Sequence, residues 1–140
     1  RPCVLYLEHD SEEILRFSRS VAMSDYSNVL RVVLSVEEAR AYIEGQGCYE
    51  YREEYPDPDL IVSEMNLPDG SGNDFASWLR ELDRYRNIPL VFFARAFGPE
   101  EKKRAEELGA AAFVLKPEKP ELQEERINTV LKFFPKKTGE

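Results

Sequence analysis

Short apolar runs alternate with amphipathic stretches along the whole of this chain. The runs are Val4–Leu7, Val29–Leu34, Leu60–Ser63, Leu90–Ala94 and Ala112–Leu115. Between them, apolar residues recur at helical spacing: Ile14, Phe17 and Val21; Phe75, Trp78, Leu79 and Leu82; Ile127, Val130, Leu131 and Phe134. A short continuous apolar run suits a strand covered on both faces, and the helical period suits a helix with one covered face. Strands that alternate with helices call for a parallel sheet, since parallel neighbours are joined only by long crossovers. Right-handed crossovers leave few topologies. Five strands and five helices fit an α/β, doubly wound, flavodoxin-like sheet of order 2-1-3-4-5 with helices on both faces.

The punctuation agrees with this division. Asp10 is an N-cap, with Glu13 three residues on, and Ser35 with Glu38 forms a capping-box pattern. Gly45 and Gly47 stop the second helix, and Pro68-Asp69-Gly70 signals a turn. Pro99 and Pro120 suit the first turns of the fourth and fifth helices. Residues Cys48–Pro58, with two prolines and three tyrosines, form a long loop or carry a short extra turn. That insertion is expected at the amino ends of the strands, where length is tolerated. Trp78 and the aromatic run Leu90–Ala94 are expected in the core.

Composition excludes several classes. With 27 acidic and 19 basic residues in 140, the net charge is −8, and no basic cluster stands out, which argues against direct nucleic-acid binding. The longest apolar run, Ala110–Leu115, is far short of the roughly 20 residues that cross a bilayer, so no membrane role is expected. Cys3 and Cys48 are expected to be reduced thiols in a cytoplasmic protein, and a single His rules out zinc spacing. No dinucleotide fingerprint, P-loop or G-x-S-x-G elbow is present, and nothing encodes a serine or cysteine triad. No enzyme activity is expected.

In sheets of this kind function gathers where the strands end at their carboxyl side. Those ends are Glu8, His9 and Asp10; Glu64, Met65 and Asn66; Ala94 and Arg95; and Lys116 with Pro117. Acids and one lysine thus meet on a single rim. Glu8 reads either as a cap for the first helix or as a pocket acid. Lys116 reads as a surface lysine or as a cation aimed into that pocket. His9 reads as a hydrogen-bonded loop residue rather than a metal ligand.

These residues resemble the receiver domain of two-component response regulators. "VLYLEHD" (4–10) is similar to its first strand and acidic cluster, and "PDLIVSEMNLPDGSG" (58–72) to its third strand and phospho-acceptor loop. "IPLVFFARA" (88–96) resembles its fourth strand, and "ELGAAAFVLKP" (107–117) the run into its fifth. The resemblance places Glu64 at the phospho-acceptor position, Glu8 and His9 at the acidic pair that helps hold Mg²⁺, and Ala94 at the hydroxyl position. Arg95 replaces a small residue, Lys116 matches the retained lysine, and Phe113 the aromatic switch. Asn66 follows the acceptor loop into the same pocket.

The departures carry the expectation. Glu extends its carboxylate about 1.5 Å further than Asp, and a misplacement of ~1 Å can cost on the order of 10²-fold in rate. Ala94 has no hydroxyl, and His9 is a poor ligand for a hard cation. The chain is therefore expected to be an atypical, pseudo-receiver module whose Glu64–Lys116 pair holds the pocket without phosphate, with at most weak Mg²⁺ binding through Glu8. Glu8, Glu64 and Lys116 together leave one negative charge there. Phe113 is expected to be buried or easily buried. The partner, an effector domain or sensor kinase, is expected on the face of helix 4, strand 5 and helix 5. Two alternatives stay open: a phospho-accepting receiver of a His-Asp phosphorelay, with Asp10 or Asp69 as substitute acceptors, and a small-molecule-binding flavodoxin-like domain. The domain is expected over 1–134, with 135–140 the start of a linker or tail; both a larger parent chain and a single-domain regulator stay open.

Overall fold

The computed structural model describes residues 2–26 and 28–135. Five strands, β1 (Cys3–Leu7), β2 (Val29–Val33), β3 (Leu60–Ser63), β4 (Leu90–Ala94) and β5 (Ala112–Leu115), form one parallel sheet in the order β2-β1-β3-β4-β5. That is the expected flavodoxin-like sheet. Its register sets Leu7 beside Ser63, Ser63 beside Phe92, and Ala94 beside Leu115, so the carboxyl ends of four strands finish side by side.

Successive side chains of a strand point to opposite faces, and this splits the core in two. Val4, Tyr6, Leu60, Val62, Val91 and Phe93 face α1 (Ser11–Met23) and α5 (Gln123–Leu131), meeting Phe17, Val21, Ile127, Val130 and Leu131. Leu5, Leu7, Ile61, Leu90 and Phe92 face α2 (Val36–Glu44), α3 (Gly72–Arg80) and α4 (Pro99–Glu107). Each large side chain buried this way contributes roughly 1.5–3 kcal/mol. Trp78 departs from its expected place. It is half-buried at the edge of the second layer, with the Arg40 guanidinium 5.4 Å above its ring.

Caps fix where the helices begin. Asp10 accepts from the Glu12 and Glu13 N–H groups, and Ser35 from Glu38 N–H. Neither forms the full reciprocal box: Glu38 accepts instead from Leu34 N–H at 3.3 Å, and Glu13 turns elsewhere. The complete box is at α3, between Ser71 and Asp74. The Pro68-Asp69-Gly70 turn closes a two-residue hairpin, Asn66–Leu67 against Gly70–Ser71. Asp69 caps α2 from there, accepting from Val36 and Glu37 N–H at 2.8 and 2.9 Å.

The Cys48–Pro58 insertion opens with one 3₁₀ turn (Gly47–Glu50) and sits beside the amino ends of the strands. Tyr42, Tyr49 and Tyr55 pack against one another with ring centroids 5.0–6.1 Å apart. Asp57 knots the insertion to the body, accepting from Arg52, Arg84 and Tyr85. Arg80, the last residue of α3, donates to four carbonyls: Arg86, Ile88, Leu108 and Gly109. Cys3 is buried and Cys48 exposed, both as free thiols. Pro120 opens a separate 3₁₀ turn ahead of α5, and Phe134 lies beyond the helix, with its ring 6.0 Å from Tyr26. Among the described residues no helix is long and apolar enough to cross a membrane. Of the segment expected as linker or tail, 136–140 lie outside the described residues.

Candidate functional site

Glu8, Glu64, Arg95 and Lys116 are each the first residue past the carboxyl end of a strand. The ladder runs on into three of them: Glu8 N–H donates to Val33 O, Glu64 N–H to Leu7 O, and Lys116 N–H to Ala94 O, at 2.8–3.0 Å. Their backbones are thus held by the sheet, and only the side chains remain to be placed.

Lys116 stands at the centre. Its ammonium is buried and donates to Glu8 Oε1 and, at 2.7 Å, to Glu64 Oε2. Burial by itself lowers the lysine's pKa, but the hydrogen bonds to Glu64 and Glu8 and their negative charges outweigh it and hold it above the ordinary lysine value. Glu8 also accepts from Tyr6 Oη at 3.3 Å and from the His9 and Asp10 N–H groups at 3.0 and 3.3 Å. Glu64 accepts from Met65 N–H at 2.7 Å and Arg95 N–H at 3.3 Å. Tyr6 is held far above the ordinary phenol value, first by burial and then by the charges of Glu8, Glu13 and Glu64.

A third carboxylate belongs to this cluster. Glu13, on the first turn of α1, is buried, with its Oε2 3.6 Å from Lys116 Nζ. Its Oε1 accepts from the Arg95 guanidinium and, at 3.2 Å, from Arg16. In the sequence Glu13 reads as a helix-start acid, because its contacts lie on the far side of the chain and no local pattern announces them. The one available signal was Arg95, a long cation where the resembled family has a small side chain. Counting both new members, the five groups still leave one negative charge.

The other anticipated residues are placed as follows. His9 is exposed, with Nδ1 3.7 Å from Glu8 Oε2. Asn66 lies exposed on the hairpin and makes no side-chain hydrogen bond to the cluster among the described residues; its expected place in the pocket is corrected to the rim. Ala94 is wholly buried. Phe113 is half-buried and turned inward, stacked on Phe92 at 5.3 Å and 5.1 Å from Phe97. Asp10 and Asp69 have their carboxylates engaged by helix N–H groups.

Mg²⁺ is the ion that the family resemblance implies. A hard cation that keeps a tight octahedral oxygen shell needs carboxylate oxygens free to turn toward it. Here all four oxygens of Glu8 and Glu64 already accept from N–H, O–H or ammonium donors. Among the described residues no three His, Cys, Asp or Glu side chains are grouped to hold a metal ion. The donor set does not fit Mg²⁺.

Residues 10–128 match the family model described as Response regulator receiver domain. The phosphate regulon transcriptional regulatory protein PhoB of Escherichia coli (strain K12) is 35% identical over 77 residues, covering 55% of this chain and 34% of PhoB. The chain thus spans about a third of the length of that relative. Chemotaxis protein CheY1 of Helicobacter pylori is 22% identical over 117 residues, covering 79% of this chain and 94% of CheY1. Among solved structures, response regulator RPA3017 in red light signaling of R. palustris superposes with a TM-score of 0.85 at 24% identity, covering 100% of this chain and 97% of that one. That last likeness is one of fold.

Proposed function

Because the chain belongs to the response regulator receiver domain family, we propose that it is an atypical member, a regulatory and protein-interaction module that works without phosphorylation and without enzyme activity. One observation carries this reading. The Glu64 carboxylate, at the family's acceptor position, is already bound by Lys116 and by the Met65 and Arg95 N–H groups. In-line attack on phosphorus needs a free carboxylate oxygen, with cations left over for the transferred group. Here the cations are engaged by carboxylates before any donor arrives.

Glu64 then acts as a fixed surrogate. Its charge of −1 reaches part of the way to where a phosphoryl group carries nearly −2. The inward Phe113 belongs to the same fixed arrangement. The face of α4, β5 and α5 is the expected docking surface for an effector domain or sensor kinase, and Leu115 on its edge strand is 49% exposed. The experiment is incubation of the protein with acetyl phosphate and Mg²⁺, followed by intact mass spectrometry. An unchanged mass is expected. A stable gain of one phosphoryl group on any carboxylate overturns the reading in favour of a phospho-accepting receiver.

A further inference from the structure

Arg95 touches the acid cluster twice. Its backbone N–H reaches Glu64 Oε2, beyond β3, while its guanidinium reaches Glu13 on α1. One residue therefore ties the start of the β4–α4 loop to two separate elements. The guanidinium also hydrogen-bonds a carboxylate that Lys116 reaches by charge alone: Lys116 bonds Glu8 and Glu64, and pairs with Glu13 Oε2 at 3.6 Å, beyond hydrogen-bond range. A buried carboxylate without a partner is costly, and among the described residues only Arg95 and Arg16 hydrogen-bond the Glu13 side chain.

We infer that Arg95 and Glu13 are the positioning residues of this pocket: their ion pair is an internal latch that neutralises the acid cluster, clamps the β4–α4 loop over it, and so excludes divalent cations. The inference rests on the reading above and adds the device that enforces it. Arg95 and Lys116 supply two fixed positive charges where a divalent ion would supply two mobile ones. The clamp also bears on Phe113, because Phe97, two residues beyond Arg95, packs against its ring. Releasing Arg95 therefore frees one wall of the aromatic nest and leaves Glu13 Oε1 with Arg16 as its remaining hydrogen-bond donor among the described residues.

The test compares the wild-type chain with Arg95→Ala, Arg95→Lys and Glu13→Gln. Arg95 is more than half exposed, so its variants retain the fold. Amide hydrogen exchange reads the clamp, and broadening of backbone NMR signals by Mn²⁺ reads the pocket. Both Arg95→Ala and Glu13→Gln are expected to speed exchange at residues 95–98. Only Arg95→Ala is expected to gain Mn²⁺ affinity, on the order of 10-fold, because it removes a cation while Glu13→Gln removes an acid. Arg95→Lys is expected to keep the affinity low but lose part of the protection, since it keeps the charge and loses the fork. Unchanged exchange at 95–98 in both Arg95→Ala and Glu13→Gln overturns the clamp, and equal Mn²⁺ affinity in wild type and Arg95→Ala overturns the exclusion. Neither result touches the phosphorylation reading, which falls only to an acetyl-phosphate adduct on the wild-type protein.

Discussion

Replacing Lys116 by Met removes one methylammonium-like head from between Glu8 and Glu64 and keeps much of the side chain's volume. Both carboxylates are buried, and they lose their shared cation together. Stranding a buried charge in this way costs about 3–5 kcal/mol. The structure favours the lower end: Glu8 keeps Tyr6 Oη and two N–H groups, and Glu64 keeps the N–H groups of Met65 and Arg95. A loss of about 3 kcal/mol in a chain of this length lowers Tm by about 10 °C, from the average unfolding entropy per residue. Circular dichroism melts at pH 7, with urea titrations to confirm an unchanged m-value, measure it. Adding Glu64→Gln to the same chain removes one of the stranded charges and is expected to restore roughly 1–2 kcal/mol. A Tm shift under about 3 °C for Lys116→Met, or no recovery in the double variant, would mean that Lys116 does not hold these acids together.

Close packing behind the site and the charged groups at both ends of the sheet give two further outcomes. Gly72→Ala places a methyl 2.5 Å from a Phe92 ring carbon and 2.6 Å from the Glu64 carbonyl oxygen, so backbone must shift; urea unfolding is expected to show a loss of about 2–3 kcal/mol, and a neutral result would contradict the close approach of α3 to β3. Stability is also expected to fall at both pH extremes. Burial opposes ionisation of Asp57 and Asp69, but Arg52, Tyr85 and Arg84 for the first, and the Glu37 and Val36 N–H groups for the second, hold both below the ordinary value. A depressed carboxyl stabilises above its unfolded value of about 4 and loses that contribution as pH falls through the folded one. The raised Lys116 does the reverse, stabilising below its unfolded value of about 10 and losing it as pH rises through the folded one. Urea midpoints that stay flat from pH 3 to pH 7 would contradict the acid limb.

The sheet was legible because its three central strands are covered on both faces and read as apolar runs, Leu60–Val62 among them, while the half-buried edge strand β2 still shows its β-branched residues on either side of Arg31. The four strand-end residues followed from topology alone. Glu13 did not follow. A Glu three residues after an Asp cap has a sufficient local explanation, and its pocket partner Arg95 lies 82 residues away. Only the register of β4 against β3, with α1 laid across β1, brings the two together. Asn66 misled in the opposite direction: adjacency to Glu64 in sequence suggested a shared pocket, but the hairpin pairing of Asn66 with Ser71 turns it to solvent. Trp78 kept the expected helical face yet sits where that face meets solvent, beside Arg40. The insertion was legible as an insertion; the Asp57 knot was not, because it joins segments that share no periodicity.

The four carbonyls gathered by Arg80 have a mechanical consequence for α4. Leu108 and Gly109, at its carboxyl end, are bolted to the end of α3. Its opposite end is tied to α3 among the described residues by one side-chain amide, Asn73 to the Glu101 carbonyl at 3.0 Å. A rod fixed at its base pivots there, so once the Arg95 latch lets the β4–α4 loop go, a small displacement near Pro99 swings the exposed side of α4 about Leu108 instead of sliding it.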